Sequence, residues 1–411
     1  MNTVHISVKA YNAEKTLRRT IESVLAQTYK NYKLYVCDNG STDGTRAIVD
    51  EYAAKGEIIP FYNEKNHVWN EGSKPFAQLV TSIPADDFYA YLDADDEFFP
   101  DMLEELVKFA LENDLDFASA NYIMQNAETG ESALGAPGIT ENMIFDTPEK
   151  YEKYYRNYAL AFRQLWGKLY RANTAAQLRA FKTPVSPMIS DTIFVLSALL
   201  SSKRAGVLNK PLMRYYVSRN SMANNYIESR KDFPDAIYNV VCNFIYQKAG
   251  RISSENYTYI YKYYCSEFRE VLRIHLWVDL PIDTKLGEIE HLFSSEICRD
   301  LYGQVDYFDI FKNHNADFDL FKNPLEWIFE NRETLPPERV LKIYFTFFDI
   351  VYQNKAEKFT EDEVTWLLSV SIPLANSVLC GVFENAFEVF GSLPNTLMKQ
   401  SVEGKIRRLK G

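Results

Sequence analysis

The sequence predicts an α/β protein: a doubly wound, parallel-sheet domain over the first 225 residues, followed by a mostly α-helical carboxyl-terminal domain over 226–411. Three observations carry this. Strand-like apolar runs alternate with segments of helical period through the first third of the chain. The early runs break off in polar turn residues. From Asp232 onward the alternation stops, and aromatic residues recur at helical spacing.

Val4, Ile6 and Val8 mark the first strand, and Leu17, Ile21, Val24 and Leu25 the first helix. Leu34-Tyr35-Val36-Cys37 is a second strand, broken by Asp38-Asn39-Gly40-Ser41-Thr42-Asp43-Gly44-Thr45, a loop of turn and N-cap residues. Ile48, Val49 and Tyr52 continue as a helix. Ile58-Ile59-Pro60-Phe61 is a third strand, 76–82 a helix, and Phe88-Tyr89-Ala90-Tyr91-Leu92 a fourth strand. Leu103, Leu106, Val107, Ala110 and Leu111 form the next helix, and 115–119 another strand. The polar breaks after the first, second and fourth strands then lie along one edge, where open α/β sheets bind ligands.

The fourth strand stops in Asp93-Ala94-Asp95-Asp96. On an extended backbone Asp93 and Asp95 point to the same side and converge on one point. Clustered carboxylates repel each other unless a cation sits between them. Mg²⁺ and Mn²⁺ suit such a place, with few protein oxygens and the rest from water and phosphates. The plainer alternative is an acidic turn that caps the next helix at Pro100-Asp101.

Four segments, in order and at the right spacing, carry a family resemblance. They are Tyr11-Asn12-Ala13-Glu14, Ser23-Val24-Leu25-Ala26-Gln27-Thr28-Tyr29, Asp38 to Thr45, and Leu92-Asp93-Ala94-Asp95-Asp96. Lys168-Leu169-Tyr170-Arg171, Asp191-Thr192, Arg214-Tyr215-Tyr216 and Ser221 extend it. Together they resemble the family 2 glycosyltransferases of GT-A fold, over residues 1–225. The resemblance implies a metal-dependent, inverting transferase that moves a sugar from a nucleotide-diphosphate donor to a hydroxyl of a glycan, lipid-linked or protein acceptor. Cell-surface polysaccharide or glycoconjugate synthesis is the implied setting. It places Ala10, Tyr11, Asn12, Asp38, Asn39 and Asp93 around the nucleotide, with uridine favoured. It places Asp95 and Asp93 on Mn²⁺ or Mg²⁺, and makes Asp191 the catalytic base. The plainer reading of Asp191 is a helix N-cap.

Some positions depart from the family pattern. Lys9 stands where proline is common; one reading brings it to a phosphate, and the plainer one makes it a solvated strand-end lysine. Asn39 replaces the second acid of Asp-Asp-Gly-Ser, and Ser190 the acid before Asp191. The segment 63–75, with Asn66, His67 and Trp69, lacks the usual glycine and arginine. These departures keep a second reading open, a catalytically silent binding or scaffold protein on the same fold. A nucleotidyltransferase fits worse, for want of an early glycine- and lysine/arginine-rich phosphate loop.

The chain has 411 residues, 46% hydrophobic and 15% aromatic, enough for two or three sizeable cores. Its net charge of −11 argues against nucleic acid. Five scattered cysteines without paired spacing predict reduced thiols. The amino terminus enters a strand with no charged-then-apolar leader, so a cytoplasmic location is expected. Tyr257, Ile260, Tyr261, Tyr264, Phe268 and Val271 share one helix face, and Phe345, Phe348, Ile350 and Val351 another, both read as helix–helix core. Residues 364–383 carry no charge and are long enough to span a bilayer. Pro373 and several polar residues make them two buried helical pieces instead. The basic tail Lys405-Ile406-Arg407-Arg408-Leu409-Lys410 is a solvated end, or a salt-sensitive peripheral foothold on anionic lipid at the inner face of the membrane. The helical domain is expected to make acceptor, partner or oligomer contacts.

Overall fold

The computed structural model describes residues 2–67, 82–176, 189–218 and 225–298, with isolated positions among 327–339. Two compact units divide the chain, Met1–Asn225 with Ala236–Ile260, and Tyr226–Asp235 with Tyr261–Gly411.

The first unit is built on a ten-stranded sheet of order β3-β2-β1-β4-β9-β6-β10-β5, with β7 on β6 and β8 on β10. The strands are β1 (Val4–Ala10), β2 (Tyr32–Asn39), β3 (Ile59–Asn63), β4 (Phe88–Asp93), β5 (Glu97–Phe98), β6 (Phe117–Asn126), β7 (Ser132–Leu134), β8 (Met143–Phe145), β9 (Lys168–Arg171) and β10 (Ala205–Val217). Strands β3, β2, β1 and β4 run parallel. Val4, Ile6 and Val8 are fully buried, as expected of a central parallel strand covered on both faces. Helices Leu17–Leu25 and Thr45–Ala54 supply the crossovers after β1 and β2.

The sheet is mixed rather than wholly parallel. Strand β9 inserts between β4 and β6 and runs antiparallel to both. It is four residues long, and Leu169 and Tyr170 are its buried centre. An antiparallel insertion needs no crossover helix, so nothing in the local pattern announces it. Strand β10 pairs parallel with β6 but shifts register around Pro211, so the strand bends and its end reaches β5. The expected helix over 76–82 lies almost entirely outside the described residues.

The register sets the position of the site. Ala10 lies beside Asp38, Lys9 beside Asp93, and Asn39 beside Asn63. The polar ends of β1, β2 and β4 therefore form one edge.

Residues 236–260 pack with the first unit. Phe244 meets Tyr151 and Tyr155, and Lys248 donates to the Ser202 carbonyl at 2.8 Å. Beyond residue 225 the described elements are helical: Phe233–Ala249, Ser254–Trp277 and Ile282–Ser294. Ile260, Tyr261, Tyr264, Phe268 and Val271 are all buried, so this aromatic stripe is core rather than a sugar platform. Within the second unit a polar knot lies inside. His275 and Glu288, 1% and 3% exposed, meet at 3.0 Å, and Lys231 approaches Glu288 at 3.4 Å. Among the described residues no helix is long and apolar enough to cross a membrane. None of Cys37, Cys242, Cys265 or Cys298 forms a disulfide. The stripe near 345–351, the uncharged stretch 364–383, Cys380 and the basic tail lie outside the described residues.

Candidate active site

Two loops at the ends of β1 and β2 are laced together. Asn12 takes φ +49°, a left-handed conformation that asparagine tolerates. Its side-chain oxygen accepts the Thr42 amide at 2.9 Å, while its own amide donates to Ser41 Oγ at 3.0 Å. Glu14 Oε2 accepts the Gly44 amide at 2.7 Å. Asp38 is fully buried and uses both oxygens, one on the Ser41 amide and one on Arg46 Nε. Ala10 is buried and Tyr11 is 45% exposed. Of the residues expected around a nucleotide, Tyr11 thus offers open aromatic surface, while Asp38 and Asn12 hold the loops in shape.

Asn39 is 1% exposed, and its hydrogen-bonding capacity is filled. Its amide nitrogen donates to Asn66 Oδ1 at 2.6 Å and to the His67 carbonyl at 3.0 Å. Its oxygen accepts from Asn63 Nδ2 at 2.7 Å and from the His67 amide at 3.3 Å. It clamps the segment that follows β3. Gly40, at φ +77°, completes this packing, since a Cβ there would lie 2.6 Å from the Lys65 carbonyl carbon. Lys9 is half-buried and donates to the same His67 carbonyl, so it is not the solvated lysine that its strand-end position suggested. Loss of water around it lowers its pKa. Trp69 lies outside the described residues.

Strand β4 ends at Asp93, and the chain turns at once, closed by the Asp96 amide on the Asp93 carbonyl at 3.2 Å. Asp95 therefore lies in a turn. The two-residue period of an extended strand does not govern it, as the spacing argument had assumed. The carboxylates are still close enough to act on one another. Burial first, then the charges of Asp95 and Asp191, raise the Asp93 pKa. Asp96 is fully buried. Its Oδ1 accepts the Tyr216 amide at 2.9 Å, its Oδ2 has no hydrogen-bond partner, and burial with its acidic neighbours pushes its pKa well up.

Mn²⁺ or Mg²⁺ fits this donor set. The oxygens are hard, the like charges are crowded, and one buried carboxylate oxygen is orphaned. Among the described residues no three His, Cys, Asp or Glu side chains are arranged to cage a cation. The ion would therefore rest on one or two carboxylates and on phosphate oxygens.

Asp191 is the second residue of the helix Ser190–Ser201, whose N-cap position belongs to Ile189. It is not the cap. Its charge bears on Lys9 of β1, Tyr91 and Asp93 of β4, and Lys168 and Tyr170 of β9. The fold thus brings it to the carboxylate end of the sheet. Burial raises its pKa to about 6, opposed by the charges of Lys168 and Lys9.

Lys168 is a residue whose role spacing alone does not reveal. It is 2% exposed, and its ammonium donates to the Trp166 carbonyl at 3.0 Å. Burial lowers its pKa to about 7, with Asp191 acting against the shift. A lysine opening a short strand, just before the apolar pair Leu169-Tyr170, was the available signal. Ser221 lies outside the described residues.

A parallel β3-β2-β1-β4 core with polar loops at its carboxyl edge and an acidic turn at the tip of β4 defines a GT-A-like domain. Residues 6–179 match the model of glycosyl transferase family 2, so the amino-terminal part of this chain is similar to that family. The chain is 26% identical over 229 residues to the glycosyltransferase GlyA of Streptococcus pneumoniae, which covers 55% of the chain and 32% of GlyA. It is 34% identical over 142 residues to an Escherichia coli protein, the UDP-Glc:alpha-D-GlcNAc-diphosphoundecaprenol beta-1,3-glucosyltransferase WfgD, covering 34% of the chain and 54% of WfgD. The chain thus spans about a third and about half of these relatives. Staphylococcus aureus TarS 1-349, solved with UDP-GlcNAc, superposes with TM-score 0.46 and 15% identity, covering 87% of this chain and 90% of that one.

Proposed function

We propose that this chain is a metal-dependent, inverting glycosyltransferase that uses a nucleotide-diphosphate sugar, with a UDP-sugar favoured. The observation that supports the reading is that the charge of Asp191 acts on Asp93 at the end of β4 and on Lys9 and Lys168 beside it. Tyr11 stacks on the base, and the Asn12 and Asp38 loops shape the pocket for base and ribose. Asp93 and Asp95 hold Mn²⁺ or Mg²⁺, which when bound neutralises charge on the departing diphosphate. The anomeric carbon becomes oxocarbenium-like as that bond breaks. Asp191 takes the proton from the acceptor hydroxyl as it attacks from the opposite face, a contribution of about 10²–10⁴-fold. A single attack with one base inverts the anomeric centre.

The name of WfgD, a glucosyltransferase using UDP-Glc, supports uridine and a lipid-linked acceptor. In this reading residues 1–225 bind the donor, and 226–411 present an acceptor, a partner or a second copy of the chain. The enzyme works in the cytoplasm or at the inner face of the membrane, in surface-glycan or glycoconjugate synthesis. The test is hydrolysis of a panel of UDP-, GDP- and dTDP-sugars by the full chain, with Mn²⁺ or with EDTA. One or a few UDP-sugars should turn over with metal and stop in EDTA. Full turnover in EDTA removes the metal from the reading. Absence of both turnover and thermal stabilisation with every nucleotide leaves the silent scaffold.

A further inference from the structure

The acidic turn is held from outside by a residue that no motif singles out. Arg19 stands on the helix Leu17–Leu25. Its Nη2 donates to the Asp95 carbonyl at 2.6 Å. Its Nε lies 3.2 Å from Glu97 Oε1, an ion-pair contact outside hydrogen-bond geometry. Its guanidinium carbon sits 3.9 Å from the centre of the Tyr216 ring. Glu97 Oε2 in turn accepts from Arg214 Nη1 at 3.1 Å and from the Tyr216 hydroxyl at 2.8 Å. The next carbonyl of the turn, that of Asp96, accepts Thr20 Oγ1 from the same helix at 2.8 Å. Helix, turn and the end of β10 are tied together at one point, and Arg19 touches all three.

We propose that Arg19 is a positioning residue for the Asp93–Asp96 turn, fixing where Asp95 presents its carboxylate to a divalent cation. The inference rests on the transferase reading above, since it concerns the same turn. The chemistry selects arginine. A planar fork reaches a carbonyl and a carboxylate at once and stacks on an aromatic face, whereas lysine offers one point charge. Gripping the main chain also places a cation beside the turn without seating it on the ligand carboxylates. Glu97 balances that charge, and it is itself held by Arg214 and Tyr216. Residues that orient metal ligands from outside change metal affinity by about 10–100-fold when removed.

The experiment is calorimetric titration of Mn²⁺ into the full chain with saturating UDP, for wild type, Arg19→Gln and Arg19→Lys. UDP binding in EDTA and thermal unfolding without metal are measured alongside. Arg19→Gln should weaken Mn²⁺ at least about tenfold, with UDP affinity in EDTA unchanged. Arg19→Lys should stay nearer to Arg19→Gln than to wild type, because it lacks the fork. Tyr216→Leu, which removes the stacking face, should weaken Mn²⁺ in the same direction and covers the case in which Arg19→Gln does not fold. Equal Mn²⁺ affinity in wild type and Arg19→Gln overturns the inference. So does an equal loss of UDP affinity in EDTA, which marks a general structural defect. If wild type itself takes no Mn²⁺ with UDP, the metal reading of the turn falls, and this inference with it.

Discussion

Replacing Asn39 with aspartate would restore the acid that the family resemblance leads one to expect, and the structure says it should damage the protein. The side chain is 1% exposed and makes four hydrogen bonds, two as donor and two as acceptor. A carboxylate cannot donate. Asn39→Asp keeps the bonds from Asn63 and His67, loses both donations, and presses negative charge against the Asn66 and His67 oxygens. A lost bond that leaves a buried group unsatisfied costs about 1–3 kcal/mol. Asn66 is exposed and its oxygen can turn to water, and the His67 carbonyl keeps Lys9, so the low half of the doubled range applies, about 2–4 kcal/mol. At about 2–4 °C per kcal/mol for a domain of this size, Tm should fall by about 4–16 °C. The pH sign follows from burial. The new carboxyl has a folded pKa above its unfolded value, because burial and two facing oxygens disfavour its charge. The penalty is therefore smallest below the unfolded pKa and grows as pH rises through the folded one. Thermal unfolding at pH 5 and pH 8, with hydrogen exchange of the 63–67 amides, tests this. A Tm within 2 °C of wild type at pH 8, with protection of those amides unchanged, would refute the claim that Asn39 holds this segment.

Asp191→Asn should cut transfer by at least about 100-fold while leaving donor binding near normal, measured as initial rate and nucleotide Kd. A mutant keeping most of its rate places the base elsewhere. Since the Asp191 pKa is raised to about 6, the working carboxylate takes a proton as pH falls through that value. The acid limb of kcat/KM should therefore lie near pH 6. Lys168→Met removes a buried charge that favours ionised Asp191, so the same limb should move up by about one unit or more. An unmoved limb makes Lys168 a packing residue. Gly40→Ala combines a positive φ with a methyl 2.6 Å from the Lys65 backbone. It should lower Tm more than Gly130→Ala, where the added methyl meets nothing within 4 Å. Equal effects would show that the close approach does not matter.

The central strands were legible because their signals are local. Val4, Ile6 and Val8 or Leu34 to Cys37 are apolar runs ended by turn residues, and the structure puts strands there. The third strand lies at Ile59–Asn63, slightly later than its apolar run, because it pairs Asn63 with Asn39. Strand β9 was visible as the segment Lys168-Leu169-Tyr170-Arg171 but not as an antiparallel insertion. Four residues with two long cations carry too little pattern, and pairing with β4 and β6 is a tertiary fact. Arg19 left no trace for the same reason. Its partners are 76 to 197 positions away in the chain, at Asp95, Glu97 and Tyr216.

The departures at Lys9, at Asn39 and in the segment after β3 looked like three separate erosions of a family pattern, and in the fold they form one feature. Lys9 donates to the His67 carbonyl; Asn39 donates to the same carbonyl and accepts the His67 amide. Asn63 and Asn66 close the ring on Asn39 from either side. A glycine- and arginine-bearing loop in place of 63–67 would lack the side-chain amides of Asn63 and Asn66. A proline at position 9 would have no ammonium to offer the carbonyl, and an acid at 39 would repel it. Each change makes sense only with the other two. Residues that differ from a family pattern by drift have no reason to converge on a single backbone group; these do. The physical content of the departures is thus a different way of anchoring the loop beside the first two strand ends. It leaves Asp93, Asp95 and Asp191 in the sequence, so in the proposed transferase reading it bears on the side assigned to the base and not on the acidic edge of the sheet.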